Sequence, residues 1–184
     1  MNDISEELVS RAAKGDQEAF KEIYDMTKGL VYNVALRVTG NREDAQEVAQ
    51  EVFVNVYHKI GSFRFQSSFR TWIYRVTSNH AINWAKRESR LRRKNVTYEE
   101  EMHAGAAPDL PQSEEEKAFL ADKAQKILES LPPDQRACVV LRNMEGLSYE
   151  AIAQALNINI NTVRSRLNRA REKLLAMAKG VVYE

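Results

Sequence analysis

The residues best equipped for chemistry in this chain are cations, amides and aromatic rings, and most of them crowd into two places. The first is Phe63-Arg64-Phe65-Gln66-Ser67-Ser68-Phe69-Arg70-Thr71-Trp72-Ile73-Tyr74-Arg75-Val76, with Asn79, Asn83 and Lys86 following at helical intervals. Arg and Lys pair with phosphates, and unstacked bases stack on rings or hydrogen-bond to amides. A loop-to-helix junction of this composition therefore suits single-stranded nucleic acid. The second is Thr162-Val163-Arg164-Ser165-Arg166-Leu167-Asn168-Arg169. Polar side chains near the start of a helix can enter a major groove and read base edges, Arg on guanine and Asn on adenine. Arg166, Arg171 and Lys173 add charge suited to phosphates. A third set has the opposite sign: Glu47, Gln50 and Glu51 share one helical face at i, i+3 and i+4, an acidic, amide-bearing surface unsuited to nucleic acid.

Motifs for covalent or acid–base chemistry are missing. The chain has no Gly-rich phosphate loop, no G-x-S-x-G elbow and no Cys/His pairing, so no catalytic residue and no cofactor is expected. Glu43, Asp44, Glu47 and Glu51 lack the Glu-x-x-His partner of a carboxylate metal site, and His58, His80 and His103 are scattered; the carboxylates read as a solvated face and no metal is expected. Cys138 is the only cysteine, which excludes an internal disulfide, and in the run Ala137-Cys138-Val139-Val140-Leu141 it reads as a small buried hydrophobe. No apolar stretch approaches the ~20 residues that span a bilayer. Met1-Asn2-Asp3-Ile4-Ser5-Glu6-Glu7 lacks the basic and apolar regions of a signal peptide. A cytoplasmic protein with no direct membrane insertion is expected. Its net charge of +1 requires any basic surface to be local and balanced by acidic surface elsewhere.

The elements that must position these residues are all helices. With 184 residues, 29% of them charged, four Pro, seven Gly and almost no β-branched alternation, the chain predicts an all-α protein of two small helical domains. Ser5 starts a first helix, Gly15-Asp16 breaks it, and Gln17 to Leu36 carries Phe20, Ile23, Tyr24, Val31, Val34 and Ala35 at helical spacing, with Gly29 a possible interruption. Asn41 caps the next helix, whose apolar face is Ala45, Val48, Ala49, Val52 and Val56. In the helix after the aromatic loop, Ile73, Val76, Ala81 and Trp84 fall to one side, Arg75, Asn79 and Lys86 to another, and Asn83 at the margin. Trp72 and Trp84 read as core, while Phe63, Phe65 and Phe69 divide between loop anchoring and base contact.

From Glu88 to Glu114 periodicity is lost. The basic cluster Arg90-Leu91-Arg92-Arg93-Lys94, part of which extends the preceding helix, gives way to Glu99-Glu100-Glu101 and to Ala104–Ser113, a linker. Ser113 with Glu116 is a capping box for a helix bearing Phe119, Leu120, Ala124, Ile127 and Leu128, which Leu131-Pro132-Pro133 ends. Then comes a helix-turn-helix pattern: Ser148 caps Tyr149 to Leu156 with Ile152, Ala153 and Leu156 inward, Asn157-Ile158-Asn159-Ile160 turns, and Asn159 or Asn161 caps a helix to about Ala178. Val163, Leu167, Ala170 and Leu174 form its buried stripe.

Two sets of motifs resemble one family. Glu47-Val48-Ala49-Gln50-Glu51-Val52-Phe53, Phe63, Phe69–Val76 and Asn79, with Gly15-Asp16 and Ala19-Phe20 ahead of them, resemble the second conserved region of bacterial RNA polymerase sigma factors, most of all the small extracytoplasmic-function (ECF) type. Leu131-Pro132, Gly146–Ala153, Thr162–Leu167 and Arg169-Ala170-Arg171 resemble the fourth region. Asn159 and Asn161 stand where the family usually has Pro and Gly, and Asn83 where an acidic residue is common.

The resemblance implies a region 2 domain at residues 1–90, a linker at 91–113 and a region 4 domain at 114–184. It implies that Glu47, Gln50 and Glu51 dock on core RNA polymerase. Phe63, Arg64, Ser67, Arg75, Asn79, Asn83 and Lys86 would hold the opened −10 element of promoter DNA. Tyr149, Thr162, Arg164, Ser165, Asn168 and Arg169 would read the −35 element as duplex. An anti-sigma factor, free or membrane-anchored, is the further partner implied. The competing readings are a free-standing helix-turn-helix regulator that binds intact duplex without polymerase, and an RNA-binding module. The sigma reading would fail if the halves packed around a small molecule with the acidic helix buried inside.

Overall fold

The computed structural model describes residues 4–95 and 124–180, apart from the side chains of 92–95 and 178–180. The capping box at Ser113, Phe119, Leu120, the Glu99–Glu101 cluster, His103 and the Ala104–Ser113 run lie outside the described residues. Within them every regular element is helical. Helix α1 spans Glu6–Ala13, α2 Gln17–Thr39, α3 Arg42–Lys59 and α4 Phe69–Asn95. A short helix α5 covers residues 124–129, followed by α6 Pro133–Val139, α7 Tyr149–Leu156 and α8 Ile160–Gly180.

The starts of these helices are set by the polar residues that precede them. The Ser5 hydroxyl accepts from the Leu8 amide at 3.2 Å, the Asp16 carboxylate from Ala19 at 3.0 Å, and the Asn41 side-chain oxygen from Asp44 at 2.8 Å. Each satisfies an amide that the first helical turn leaves without a backbone partner. Helix α2 passes through Gly29 without interruption and ends at Gly40, whose φ of 101° closes the helix through a left-handed turn. A side chain at Gly40 would also meet the Glu129 carboxylate, 2.8 Å from the position of its Cβ. Helix α4 continues to Asn95, so the basic cluster Arg90–Lys94 extends it, as expected for part of that cluster.

Four helices make the first half. Ile23, Val31, Val34 and Val38 of α2 are fully buried against Val48, Val52 and Val56 of α3 and Ile73 and Ala81 of α4. Burying each such side chain contributes on the order of 1.5–3 kcal/mol. In the second half Leu131, Leu141, Ile152, Val163 and Ala170 form the buried set, with Leu167 and Leu174 packed at its margin. Ala155 is buried more completely than Ala153, the inward alanine expected in α7. Cys138 is buried, and that burial pushes its thiol pKa up to about 11. After α6 the chain widens into a π-helical turn, Val140–Met144, which carries Leu141 into the core before Gly146 turns the backbone at φ 69°.

The two halves touch. Helix α4 packs on α6 and α7, and α2 on α6. Arg136, almost fully buried, donates to the Val38 carbonyl across the junction at 2.7 Å, and to the Glu129 and Leu131 carbonyls on its own side. The acidic face of α3 takes no part in this junction and stays exposed.

Candidate nucleic-acid and polymerase interface

The acidic surface follows from how α3 is buried. Ala45, Val48, Val52 and Val56 point into the core, so Glu47, Gln50 and Glu51 are turned to solvent. Val54 and Tyr57 stand exposed on the same helix, at 59% and 52% of their full accessibility. Carboxylates and an amide thus stand beside uncovered apolar side chains on one exposed surface. Sequence reasoning missed Val54 and Tyr57; the signal was available, because neither falls on the Val48-Val52-Val56 stripe. Glu51 also reaches back to His80 of α4, 3.4 Å from carboxylate to Nδ1.

The loop ahead of α4 is held by its own rings. A short 3₁₀ turn, Ile60–Ser62, leads into Phe63, which makes edge or tilted contacts with Phe65, Phe69 and Trp72 at centroid distances of 4.9, 5.2 and 5.6 Å. Phe69 is buried and Phe63 half-buried, so these two anchor the loop, while Phe65 stands exposed with a left-handed backbone at φ 53°. The Ser68 hydroxyl accepts from the Thr71 amide at 3.1 Å and starts α4. Phe63, Arg64 and Ser67 border a small pocket of about 290 Å³, together with Trp72 and Arg75.

A larger cleft of about 490 Å³ lies between α3 and α4. Arg75, Asn79 and Asn83 line it at intervals of four, with Arg87 one step further, so one ridge of α4 forms its rim; Trp72, Val76 and Trp84 supply apolar wall, and Asn55 and Lys59 face them from α3. Asn79 and Asn83 are exposed. The Asn55 side-chain oxygen and the Trp84 indole nitrogen are buried without a hydrogen-bond partner, an arrangement that calls for explanation because buried polar groups are ordinarily paired. Trp72 and Trp84, expected in the core, are only partly buried and border this space. Lys86 does not join the cleft: it pairs with Asp134 of α6 at 2.9 Å, and Arg87, stacked 4.2 Å over the Trp84 ring, is the cation at that end. One residue along a helix turns a side chain by about 100°, which is why Lys86 and Arg87 part company.

The helix-turn-helix forms as read. Ser148 accepts from the Ala151 amide at 3.1 Å, and Asn157 turns the chain in a left-handed conformation at φ 51°. The Asn159 side chain accepts from the Asn161 amide at 2.8 Å, settling which asparagine starts α8. Asn suits both positions, since it tolerates αL and caps helices well. Arg164, Ser165, Asn168 and Arg169 are exposed on α8 and Thr162 half-exposed. Arg164 donates to Asn161 at 2.9 Å, and the Ser165 hydroxyl donates back to the Thr162 carbonyl. Tyr149 is half-buried beneath the Arg142 guanidinium. Two cations read as phosphate contacts are turned elsewhere: Arg166 is half-buried beside the Cys138 thiol, and Lys173 donates to the Ser130 carbonyl.

Comparison with known proteins agrees with this geometry. The profile "Sigma-70 region 2" matches residues 23–91, and "Sigma-70, region 4" matches residues 121–174. The RNA polymerase sigma-H factor of Pseudomonas aeruginosa is 35% identical over 179 residues, covering 92% of this chain and 91% of that protein. The ECF RNA polymerase sigma factor SigE of Mycolicibacterium smegmatis is 34% identical over 165 residues, covering 88% of this chain but 63% of the longer relative. Among solved structures, the sigma factor RpoE of Bartonella quintana, in complex with the anti-sigma factor NepR, shares the fold with a TM-score of 0.65 at 22% identity, over 87% of this chain and 96% of that one. Two family regions, in order and together spanning most of the chain, place this protein among the ECF sigma factors of bacterial RNA polymerase.

Proposed function

We propose that this sigma factor divides promoter recognition among three surfaces and acts by binding alone, in the cytoplasm. Glu47, Gln50 and Glu51, flanked by Val54, dock on core RNA polymerase. The loop bearing Phe63, Arg64 and Ser67 and the cleft bordered by Arg75, Asn79 and Asn83 hold unstacked bases of the −10 element. Lys86 joins them as a phosphate contact once Asp134 releases it. Helix α8 enters the major groove of the −35 element with Arg164, Ser165, Asn168 and Arg169, while Thr162 and Tyr149 approach the backbone. The working units are residues 1–90 and 114–184, joined by 91–113, with α4 running on into the joining segment.

The observation that carries this reading is the contrast of shape between two surfaces of similar composition. The amides of α4 stand over a cleft with tryptophan walls and two unpaired polar atoms, whereas the amides and arginines of α8 project from a convex helix. Separating a few base pairs costs several kcal/mol, and trapping an extruded base between rings offsets part of that. Reading paired bases needs a helix that fits a groove. An anti-sigma factor completes the set of partners, as one holds the Bartonella quintana protein. A free-standing regulator would have no use for the acidic face.

The test adds the purified chain to core polymerase and measures promoter-specific transcription. Wild-type protein is expected to direct it, Glu47→Lys to abolish it by blocking assembly with core, and Arg169→Ala to weaken it while assembly persists. Failure of the wild-type chain to bind core, with Glu47→Lys silent, would refute the proposal.

A further inference from the structure

Among the described residues, two that are not glycine adopt a left-handed backbone, Asn157 at φ 51° and Phe65 at φ 53°. The Cβ of any L residue crowds the following carbonyl there; asparagine offsets this by hydrogen-bonding locally, and a phenyl ring has nothing to offset it with. Phe65 is held in that conformation from both sides. Before it, Phe63 packs on Phe69 and Trp72 at centroid distances of 5.2 and 5.6 Å; after it, the Ser68 hydroxyl accepts from the Thr71 amide and starts α4. The strain brings little burial in return. The Phe65 ring meets Phe63 in an edge contact at 4.9 Å, and 43% of the residue stays open to solvent. A strained backbone that presents an apolar ring to water is a feature of binding sites rather than of cores.

We propose that Phe65 is a stacking platform for the opened strand: its ring takes the base next to the one that enters the loop pocket. This rests on the function proposed above and names a base-contacting residue within that same site. Arg64 and Gln66 line the pocket of about 290 Å³, whereas Phe65, between them, does not, so its ring stands beside the pocket and not in it. Drawing one base into the pocket breaks its stack with the neighbour and uncovers the neighbour's face. A ring held at the rim replaces that lost stack, and does so for any base, since every base has a π-face. Other groups at the pocket are already engaged. Phe63 and Trp72 pack on each other, and the Arg75 guanidinium donates to the Gln154 carbonyl from Nε at 3.0 Å and from Nη2 at 2.8 Å. Phe65 is the ring of this loop with an open surface to offer. The exposed Arg64 and Gln66 beside it supply a cation for the phosphate and an amide for a base edge.

The test assembles the full chain with core polymerase and follows, by anisotropy, fluorescein-labelled single-stranded oligodeoxynucleotides carrying the non-template −10 sequence of a promoter that the wild-type protein directs. Phe65→Asn removes the ring and suits the left-handed backbone, whereas Phe65→Trp keeps a stacking surface. Phe65→Asn should weaken binding about tenfold, the effect of one lost base stack, while the Tm of the free chain stays level or rises by a few degrees as the strain is relieved. Phe65→Trp should bind as wild type does. An abasic site walked along the oligonucleotide should cost the wild type about tenfold at one position and cost Phe65→Asn nothing further there, since the two changes remove the same contact. Wild-type affinity in Phe65→Asn would overturn the assignment. So would a lower Tm in that variant, which marks the ring as a loop anchor, or abasic sites that cost both proteins alike at every position. A wild-type chain that directs transcription while Phe65→Asn changes nothing leaves the sigma function standing and sinks the stacking role alone.

Discussion

The cleft beside α4 and the face of α8 use the same side chains, arginine and asparagine, in opposite settings. In the cleft they rim a concave space walled by Trp72 and Trp84; on α8 they project from a convex, capped helix into solvent. Residue type fixes which atoms of DNA can be bound, while curvature fixes which form of DNA can bring those atoms within reach. A duplex has no unstacked base to offer a walled cleft, and a single strand has no groove for a helix.

Substitutions can strike one of these regions and spare the other. The largest effect should come from Ile152→Ala, which leaves a void in the fully buried centre of the helix-turn-helix and costs about 2–5 kcal/mol. Thermal unfolding should show the loss, with duplex binding abolished and single-strand binding retained. Next is Asn79→Ala with Asn83→Ala. Two exposed amides are removed with no core change, so open-complex formation with polymerase should fall at least about tenfold while binding to a −35 duplex fragment is unaltered. Arg169→Ala should do the reverse, costing about 1–3 kcal/mol of discrimination between cognate and altered −35 sequences in competition binding. Asn159→Ala removes the side chain that starts α8 and should lower stability by about 1 kcal/mol, seen as a drop of a few degrees in Tm, without touching the cleft.

The smallest effect concerns pH. Burial, aided by the hydrogen bond to Glu145, pushes the Tyr74 hydroxyl up from 10.0 to about 12. The folded protein therefore keeps a proton that the unfolded chain gives up. The resulting stability is fully present below about pH 10 and is lost as the pH rises from there through about 12. Tyr74→Phe should flatten that alkaline decline in denaturation measured across this range; an unchanged decline would show that Tyr74 is not its source.

Helix positions were legible because their signals are local. Ser5, Asp16, Asn41 and Ser148 each cap the helix they precede, and the apolar spacing of α3 showed which residues would be outside. That Glu47, Gln50 and Glu51 would face solvent was legible for that reason. What sequence left hidden depends on contacts between distant parts. Nothing near Arg75 in sequence announces the Gln154 carbonyl, and nothing near Lys86 announces Asp134. Arg166 and Lys173 have the composition of phosphate contacts, yet packing turns one towards Cys138 and the other to the Ser130 carbonyl. The choice between Lys86 and Arg87 at the cleft turned on one step of helical rotation. Trp84 satisfied an apolar stripe on paper, but the separation of α3 from α4 left its indole at the edge of open space.

Permanganate reactivity of thymines in the −10 region, read beside nuclease protection of the −35 region in the same polymerase complexes, tests the division between the two DNA surfaces most directly. Wild-type complexes should show both signals. Asn79→Ala/Asn83→Ala should lose the unpaired thymines and keep the −35 footprint, and Arg169→Ala should lose the −35 footprint yet still hold a template opened beforehand. If both variants lose both signals in step, the surfaces do not divide the work and the account is wrong.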